Sequence, residues 1–295
     1  MTMMEVINAN TFGYYEDKSC IMDIFSSYAM EADVPDTENE DVTSVDDASN
    51  KRKATKTMLE RVKKLIETIK GFIERIALKV KNVLRKIAQQ DAGFRRNCNE
   101  AFVKNKPLQG VKLIAYEYNP SALESEISKL TNVVSKRIAD VNTHFEDGAK
   151  QTKEDDIITG ILKDIGLSDE KNLNVNTYFL HLKDVYRSNK SEQLFVSSNR
   201  NEYYKIALSG QEIGQSMNTY QKKIENLAEG MKAKLNGIAN NNDATDEIKR
   251  KALEAYGAVS HIFSFYTRVM DVYFQLRIEQ MYSYRAVLKK LYHFT

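Results

Sequence analysis

The amino-acid sequence predicts an all-α protein: an elongated bundle of about four long helices with a small irregular insert that can contain a short strand pair. The 295 residues include only 12 glycines and 3 prolines, whereas strand-rich proteins draw on these residues for their turns. Several long segments also place apolar residues three and four positions apart, which is the period of one helix face. Long helices with such stripes pack against each other as a bundle.

The first 50 residues are strongly acidic. They contain 12 acidic side chains and one basic side chain, Lys18, so their net charge is −11. Residues 31–50 have few large apolar groups, and such a segment buries too little surface to offset the entropy lost on ordering. We therefore predict an acidic, largely disordered leader over residues 1–50, followed by a helical bundle domain over residues 51–295 with its insert at about 146–200.

The next segment reverses the charge. Residues 51–106 contain 17 basic and 5 acidic side chains, a net charge of +12. Within them, RVKKLIETIKGFIERIALKVKNVLRKI predicts a helix from about Ala54 to about Gln90. Its heptad stripe consists of Val62, Ile66, Ile69, Ile73, Ile76, Val80, Val83 and Ile87. The cations that are candidates for contact with phosphate or an acidic partner are Lys56, Lys63, Lys64, Lys70, Arg75, Lys79, Lys81, Arg85 and Lys86.

Three interpretations fit this amphipathic helix. Its stripe can pack in the core and leave the cations outward, its cations can bind DNA phosphates, or the whole helix can lie on a membrane surface. Because no aromatic residues are interleaved with the cations, binding to nucleic acid would be nonspecific. We favour core packing, since the other long helices carry matching stripes, and this packing leaves the basic face available to a partner.

A connector and a second helix follow. Pro107 and Gly110 end the first helix, and residues 111–118 are β-branched and aromatic enough for a strand or an extended connector. Ser121 is then the predicted N-cap of the second helix, with Glu124 completing a capping box.

In the insert, the sequence predicts a short helix over Lys153 to Ile165 that Gly166 ends, and another over Tyr178 to Tyr186. The stretch EQLFVSSN is predicted to be extended or a turn.

Two long helices complete the bundle, the first with a stripe from Ile213 to Ile238 and the second running from about Thr245 to Tyr292. The last helix carries more aromatic residues than one narrow core face holds. We predict that core packing takes about half of them and that the others contact another subunit, because Tyr and Phe are common at interfaces. The candidate assembly contacts are Tyr273, Phe274, Tyr282, Tyr284 and Tyr292.

The sequence contains no motif of a known catalytic or cofactor site. The four histidines lie in separate segments, and neither HExxH nor a Cys/His zinc spacing occurs. GxxxxGK[ST], GxGxxG and GxSxG are also missing. We therefore predict a non-enzymatic protein without catalytic residues, cofactor or metal.

Three features predict an intracellular protein that does not span a membrane. The two cysteines lie far apart, which is typical of reduced thiols, and the N-terminus lacks the basic region of a secretory signal. The longest uncharged run, Ala255 to Thr267, is too short to cross a bilayer.

The order of these features resembles a class of proteins. An acidic leader, the basic helix KRKATKTMLERVKKLIETIKGFIERI, the connector GVKLIAYEYNP and an aromatic helical tail are together similar to uncharacterised tailed-phage proteins encoded among head genes. The resemblance implies an internal head or prohead scaffold component. It implies capsid or other head proteins, including further copies of the chain, as partners, with nonspecific DNA contact. It also implies a location in the virion interior or in the host cytoplasm during assembly.

The same resemblance implies a processing site in the leader. Prohead proteases of the myovirus type cut after Glu in short sites with an upstream aliphatic residue, and YAMEAD is similar around Glu31 and Ala32, although Ala29 stands where a larger aliphatic residue is expected. Two other functions fit the sequence. One is a peripheral membrane-binding or pore-forming protein that acts through the amphipathic stripe, and the other is an effector that binds a host protein through the aromatic tail.

Overall fold

The computed structural model describes residues 48–143, 154–167, 173–241 and 245–294. This part is mostly α-helical, as predicted, but it contains more helices than the predicted four. The helices are α1 (Ala48–Lys104), α2 (Pro120–Thr143), α3 (Glu154–Asp164), α4 (Val175–Tyr186), α5 (Arg200–Ala207), α6 (Gly210–Asn240) and α7 (Asp246–Tyr292). The strands are β1 (Val111–Ala115) and β2 (Ser191–Phe195), and a 3-10 turn (Ser197–Asn199) precedes α5. The leader up to residue 47, with Glu31 and Ala32, lies outside the described residues.

Helix α1 is longer at both ends than predicted. It begins at Ala48 and ends at Lys104, so the prediction that it ends near Gln90 is wrong. Gly93 does not break the helix, because the buried stripe resumes beyond it at Phe94, Cys98 and Ala101. The tertiary contacts of these three residues outweigh the cost of one glycine, about 1 kcal/mol.

Helix α2 begins earlier than predicted. Pro120 is its first residue, a position where the missing N–H costs nothing. The side-chain Oδ1 of Asn119 accepts a hydrogen bond from the Ala122 backbone N–H at 3.1 Å, so Asn119 caps the helix instead of Ser121. Glu124 is consequently free to pair with α7.

The insert follows the sequence more closely. The backbone of Gly166 has φ +98°, and its N–H bonds to the Lys163 carbonyl at 3.0 Å, so α3 ends as predicted. The predicted strand pair is present, but β1 lies before the insert: β1 pairs antiparallel with β2, with Val111 opposite Phe195. Helix α5 is not predicted from the sequence.

Helix α7 is the centre of the bundle and packs against every other described helix and against β1. Two apolar clusters surround it. The larger cluster joins α7 to α1, α2, α3, α4 and α6. The smaller one lies where the C-terminal ends of α1 and α7 meet α5 and the sheet, and it includes Phe94, Cys98, Tyr203, Leu288 and Tyr292.

Helices α1 and α6 run antiparallel in close contact. Gly210 lies against Ile87 and Asp91, and Gly214 lies against Leu84, so tightly that a Cβ atom on either glycine would clash with those side chains. Val80, Val83 and Ile87 of the α1 stripe are buried, and Ile66 packs against the same core. The stripe residues Val62, Ile69, Ile73 and Ile76 lie in the part of α1 whose side chains are not described.

Candidate functional site

The outward side of α1 carries the predicted cations. Lys63, Lys64, Lys70, Lys81 and Arg85 are exposed, and Lys86 is partly buried. The side chains of Lys56, Arg75 and Lys79 are not described. We use the name α1 face for the outward surface that includes Lys63, Lys70, Lys81 and Arg85.

The charge on the α1 face is uneven along the helix. In its N-terminal part, Glu60, Glu67 and Glu74 are also exposed, and Lys70 Nζ lies 3.9 Å from Glu67 Oε2. Between Ile76 and Gln90, by contrast, the sequence has no acidic residue and four basic ones: Lys79, Lys81, Arg85 and Lys86. Between Glu60 and Gln90, the largest group of cations without an intervening acid therefore lies around Lys81 and Arg85, on the side of α1 opposite the buried stripe residues of the same turns.

The candidate assembly contacts on α7 lie inside the chain. Tyr273, Phe274, Tyr282 and Tyr292 are at most 4% exposed, and Tyr284 is half-buried against Phe195 and Tyr203. The expectation that these aromatic side chains need another subunit is contradicted for the four buried ones, since no residue of α7 between Ile262 and Leu288 is exposed.

The central helix also buries polar side chains that the sequence analysis did not single out. Apart from Thr131, every buried polar or charged residue in the described part of the chain belongs to α7: Lys249, Asp271, Arg277, Glu279, Gln280 and Arg285. A buried charge is costly unless it is paired. The partners of these residues therefore determine which elements α7 holds in place.

Arg277 connects α7 to two helices. Its Nη1 donates to Glu124 Oε1 of α2 at 2.7 Å, and its Nη2 lies 3.6 Å from Glu212 Oε1 of α6. The hydroxyl of Tyr273 also donates to Glu124. Burial raises the pKa of Tyr273, and the hydrogen bond to Glu124 raises it further, so this phenol stays protonated and acts as a donor.

Glu279 and Gln280 bind the segment around α4. Arg187 Nη1 donates to both carboxylate oxygens of Glu279, at 2.8 and 3.0 Å. The hydroxyl of Tyr186 donates to Gln280 Oε1 at 2.9 Å. Tyr118, which follows β1, places its hydroxyl 3.3 Å from Glu279 Oε1, so one turn of α7 holds both the connector after β1 and the C-terminal end of α4.

Arg285 joins α7 to α1 and α5. Its Nε donates to the Ala207 carbonyl at 2.9 Å, and its Nη2 forms an ion pair with Asp91. The guanidinium lies over the rings of Phe94 and Tyr282, at 5.0 and 5.1 Å from their centroids. Burial raises the pKa of Asp91 more than the neighbouring Arg285 lowers it.

The charges of Arg277, Glu279 and Arg285 are each paired with a group from another part of the chain, so these side chains hold neighbouring elements against α7. Cys98 is fully buried, and burial raises the pKa of its thiol to about 12, so it is an unreactive thiol. No group of three or more metal-ligating side chains is positioned to hold an ion within the described ranges. None of the helices described has both the length and the apolar character that a membrane span requires.

A sequence signal for this network exists. In VYFQLRIEQMYSYRAV, which begins at Val272, charged and amide residues alternate with aromatic and aliphatic ones all round the helix. A helix that is apolar on every side is buried, and polar residues inside such a run point to buried pairs.

Comparison of the chain with protein-family models, with curated proteins and with solved structures gives no match.

Proposed function

We propose that the chain is a non-enzymatic helical structural protein of a tailed-phage head, an internal or scaffold-core component that contacts DNA through the α1 face. The observation that carries the proposal is the arrangement of α1 between Ile76 and Gln90. There Lys81 and Arg85 are exposed while Val80, Val83 and Ile87 are buried. Four cations without an intervening acid suit a polyanion, because each neutralised phosphate releases counterions.

The same arrangement makes membrane binding the weaker alternative. A helix that lies on a bilayer inserts its apolar face. In α1 the apolar residues Val83 and Ile87 are buried, because α6 and α7 pack against this helix. Contact with DNA needs only the outward cations and leaves the bundle intact.

The α7 network supports a structural role. The ion pairs of α7 bind four surrounding parts of the chain and fix how these parts pack against it. The folded bundle would then present a constant outer surface to capsid or other head proteins. The buried aromatic residues of α7 are not available for those contacts, so partners would bind the outer surfaces of the surrounding helices.

DNA binding is tested with two matched triple variants. The face variant replaces Lys63, Lys81 and Arg85 by Gln. The control variant replaces Lys136, Lys163 and Lys234, which are exposed on α2, α3 and α6, and so removes the same charge. We expect the face variant to bind random-sequence duplex DNA more weakly and to lower the slope of log affinity against log salt concentration by about 3, at 0.9 for each lost contact. Equal binding by the two variants would contradict the proposal.

The assignment to a phage head needs its own experiment. Mass spectrometry of purified proheads and mature virions of the phage that encodes the chain should detect it in at least one of them, and absence from both defeats the assignment. The same spectra test the processing hypothesis: a peptide that begins at Ala32 supports cleavage after Glu31, and peptides that run through this bond in mature particles count against it.

A further inference from the structure

One end of the bundle gathers cations that are far apart in the sequence. Residues 94–106 of α1 and the loop after it, 199–208 around α5, and 286–294 at the end of α7 together build the smaller apolar cluster. We call this part of the molecule the cationic end. Its eight basic residues are Arg95, Arg96, Lys104, Lys106, Arg200, Lys205, Lys289 and Lys290, and its two acidic residues are Glu100 and Glu202. The difference, 8 − 2, gives a net charge of +6.

These three segments are held together by specific contacts. The Tyr204 hydroxyl donates to Asn99 Oδ1 at 3.4 Å, and the Arg200 guanidinium lies 4.9 Å from the centroid of the Phe102 ring. Phe102 in turn packs edge-on against Tyr292, with centroids 4.6 Å apart. The three segments that carry these cations therefore pack around one apolar centre.

Most of these cations are free to meet a partner. Seven of the eight are exposed, and Arg200 is partly buried. Lys104 Nζ lies 3.7 Å from Glu100 Oε2, which uses one of the two acids of the cationic end. The excess charge is thus on the surface and is not consumed by the folding of the described residues around it.

We propose that the cationic end is a second nucleic-acid-binding surface, which holds the phosphate backbone of a DNA duplex without reading its sequence. A net charge of +6 spread over three elements matches a ligand with regularly repeated negative charges. The aromatic side chains nearby are already stacked among themselves, as Phe102 is with Tyr204 and Tyr292, so they do not offer platforms for bases.

The spacing of the two surfaces fits one duplex. Arg96 follows Lys81 by 15 residues, which is about 22 Å along a helix. One turn of B-DNA measures about 34 Å, so a single duplex can reach both the α1 face and the cationic end. The inference rests on the proposed function only in taking DNA as the partner. It does not depend on the assignment of the chain to a phage head.

An end variant tests it. Arg96, Lys205 and Lys290 are replaced by Gln, and the control is the variant at Lys136, Lys163 and Lys234, which has the same net charge. We expect the end variant to lower the salt slope of duplex binding by about 3 relative to the control, at 0.9 per phosphate contact. A variant with Arg at Lys205 and Lys290 keeps the charge and should bind like the natural chain.

The outcomes separate the two proposals. Loss of binding in the face variant but not in the end variant overturns this inference and leaves the proposed function standing. Loss in the end variant alone supports the inference and contradicts the role of the α1 face. Failure of the natural chain to bind duplex DNA overturns both.

A membrane is the competing partner, since Val103 and Leu108 are exposed at the same end. Binding to phosphatidylserine vesicles that persists in high salt and is abolished by Val103→Asp, with no binding to DNA, would overturn the inference. Circular dichroism checks that each variant is folded. If the triple variant is not, Arg96→Gln and Lys290→Gln are measured singly, and each should lower the slope by about 0.9.

Discussion

Helix α1 carries charged side chains on its exposed surface, whereas α7 carries charged side chains in the interior of the bundle. Both are long, with 57 and 47 residues. Helix α1 exposes Lys81 and Arg85 above an apolar inner face, whereas α7 buries Arg277, Glu279 and Arg285 among its aromatic residues. An exposed charge costs the fold little and is available to a partner. A buried charge must find a partner within the molecule, and so it constrains which elements dock and in which register.

The charges available to a partner and the charges that hold the fold together therefore lie on different helices. Charge removed from α1 should change binding and leave stability nearly unchanged, and charge removed from α7 should do the reverse.

High pH should destabilise the bundle, because unfolding lets its buried tyrosines ionise. Burial raises the pKa of Tyr256 to about 12 and raises the pKa of four further tyrosines: Tyr178, Tyr186, Tyr266 and Tyr273. In the unfolded chain these phenols ionise near pH 10, so above that pH the unfolded state holds fewer protons and stability falls as pH rises. Each phenol contributes about 1.4 kcal/mol per pH unit, and the five together about 7. Tyrosinate absorbance and helical circular dichroism should change together, and tyrosinate that forms while the helices persist would contradict the burial.

Removal of Arg285 should cost about 3–5 kcal/mol, because it leaves the partly buried carboxylate of Asp91 without its partner. The variant is Arg285→Met, and urea unfolding measures the loss of free energy. The double variant with Asp91→Asn should recover part of the loss, since it removes the uncompensated charge. A single variant as stable as the natural chain would show that the ion pair between α1 and α7 is not formed.

Addition of a methyl group at Gly210 should destabilise the chain by about 1–3 kcal/mol, because the new Cβ would clash with Ile87 and Asp91. The matched control in the same helix is Gly230→Ala. Gly230 is exposed with open space around it, so alanine should stabilise the helix by about 0.5–1 kcal/mol. Thermal unfolding followed by circular dichroism should therefore shift in opposite directions for the two substitutions, and shifts of the same sign would contradict the close approach of α1 and α6.

Removal of a charge from the α1 face should have the smallest effect on stability. Lys81→Gln and Arg85→Gln remove exposed side chains, and each should change the free energy of unfolding by less than about 0.5 kcal/mol. In urea unfolding they should coincide with the natural chain. A loss near that of Arg285→Met would mean that the α1 face packs against another part of the molecule.

Much of the architecture can be predicted from local sequence. The stripe of α1 at Val80, Val83 and Ile87 is buried as its spacing predicts, and Gly166 ends α3 because a residue without Cβ adopts positive φ there. The extended conformation of β1 also agrees with its β-branched residues Val111 and Ile114. These features depend on residues within one or two turns of each other.

Other features were missed because they depend on distant partners. Asn119, and not Ser121, caps α2. Glu124 does not complete the predicted capping box but pairs with Arg277, which lies 153 residues away. About half of the aromatic residues of α7 were predicted to contact a second subunit, yet Tyr273, Phe274, Tyr282 and Tyr292 are buried within the described part of the chain. The cationic end was missed for the same reason, since its charges come from three separate segments.

Local sequence is enough to show that the chain is helical, where most helices lie, and that cations crowd the outward side of α1, because the period of apolar residues and the effect of glycine and proline act locally. Tertiary packing was needed to show that α7 is central, which of its charges are paired, and that Arg96, Lys205 and Lys290 come to the same end of the bundle. Those outcomes are set by the packing of surfaces between elements, and a pairing such as that of Arg285 with Asp91, 194 residues apart, leaves no periodic trace in the residues between them.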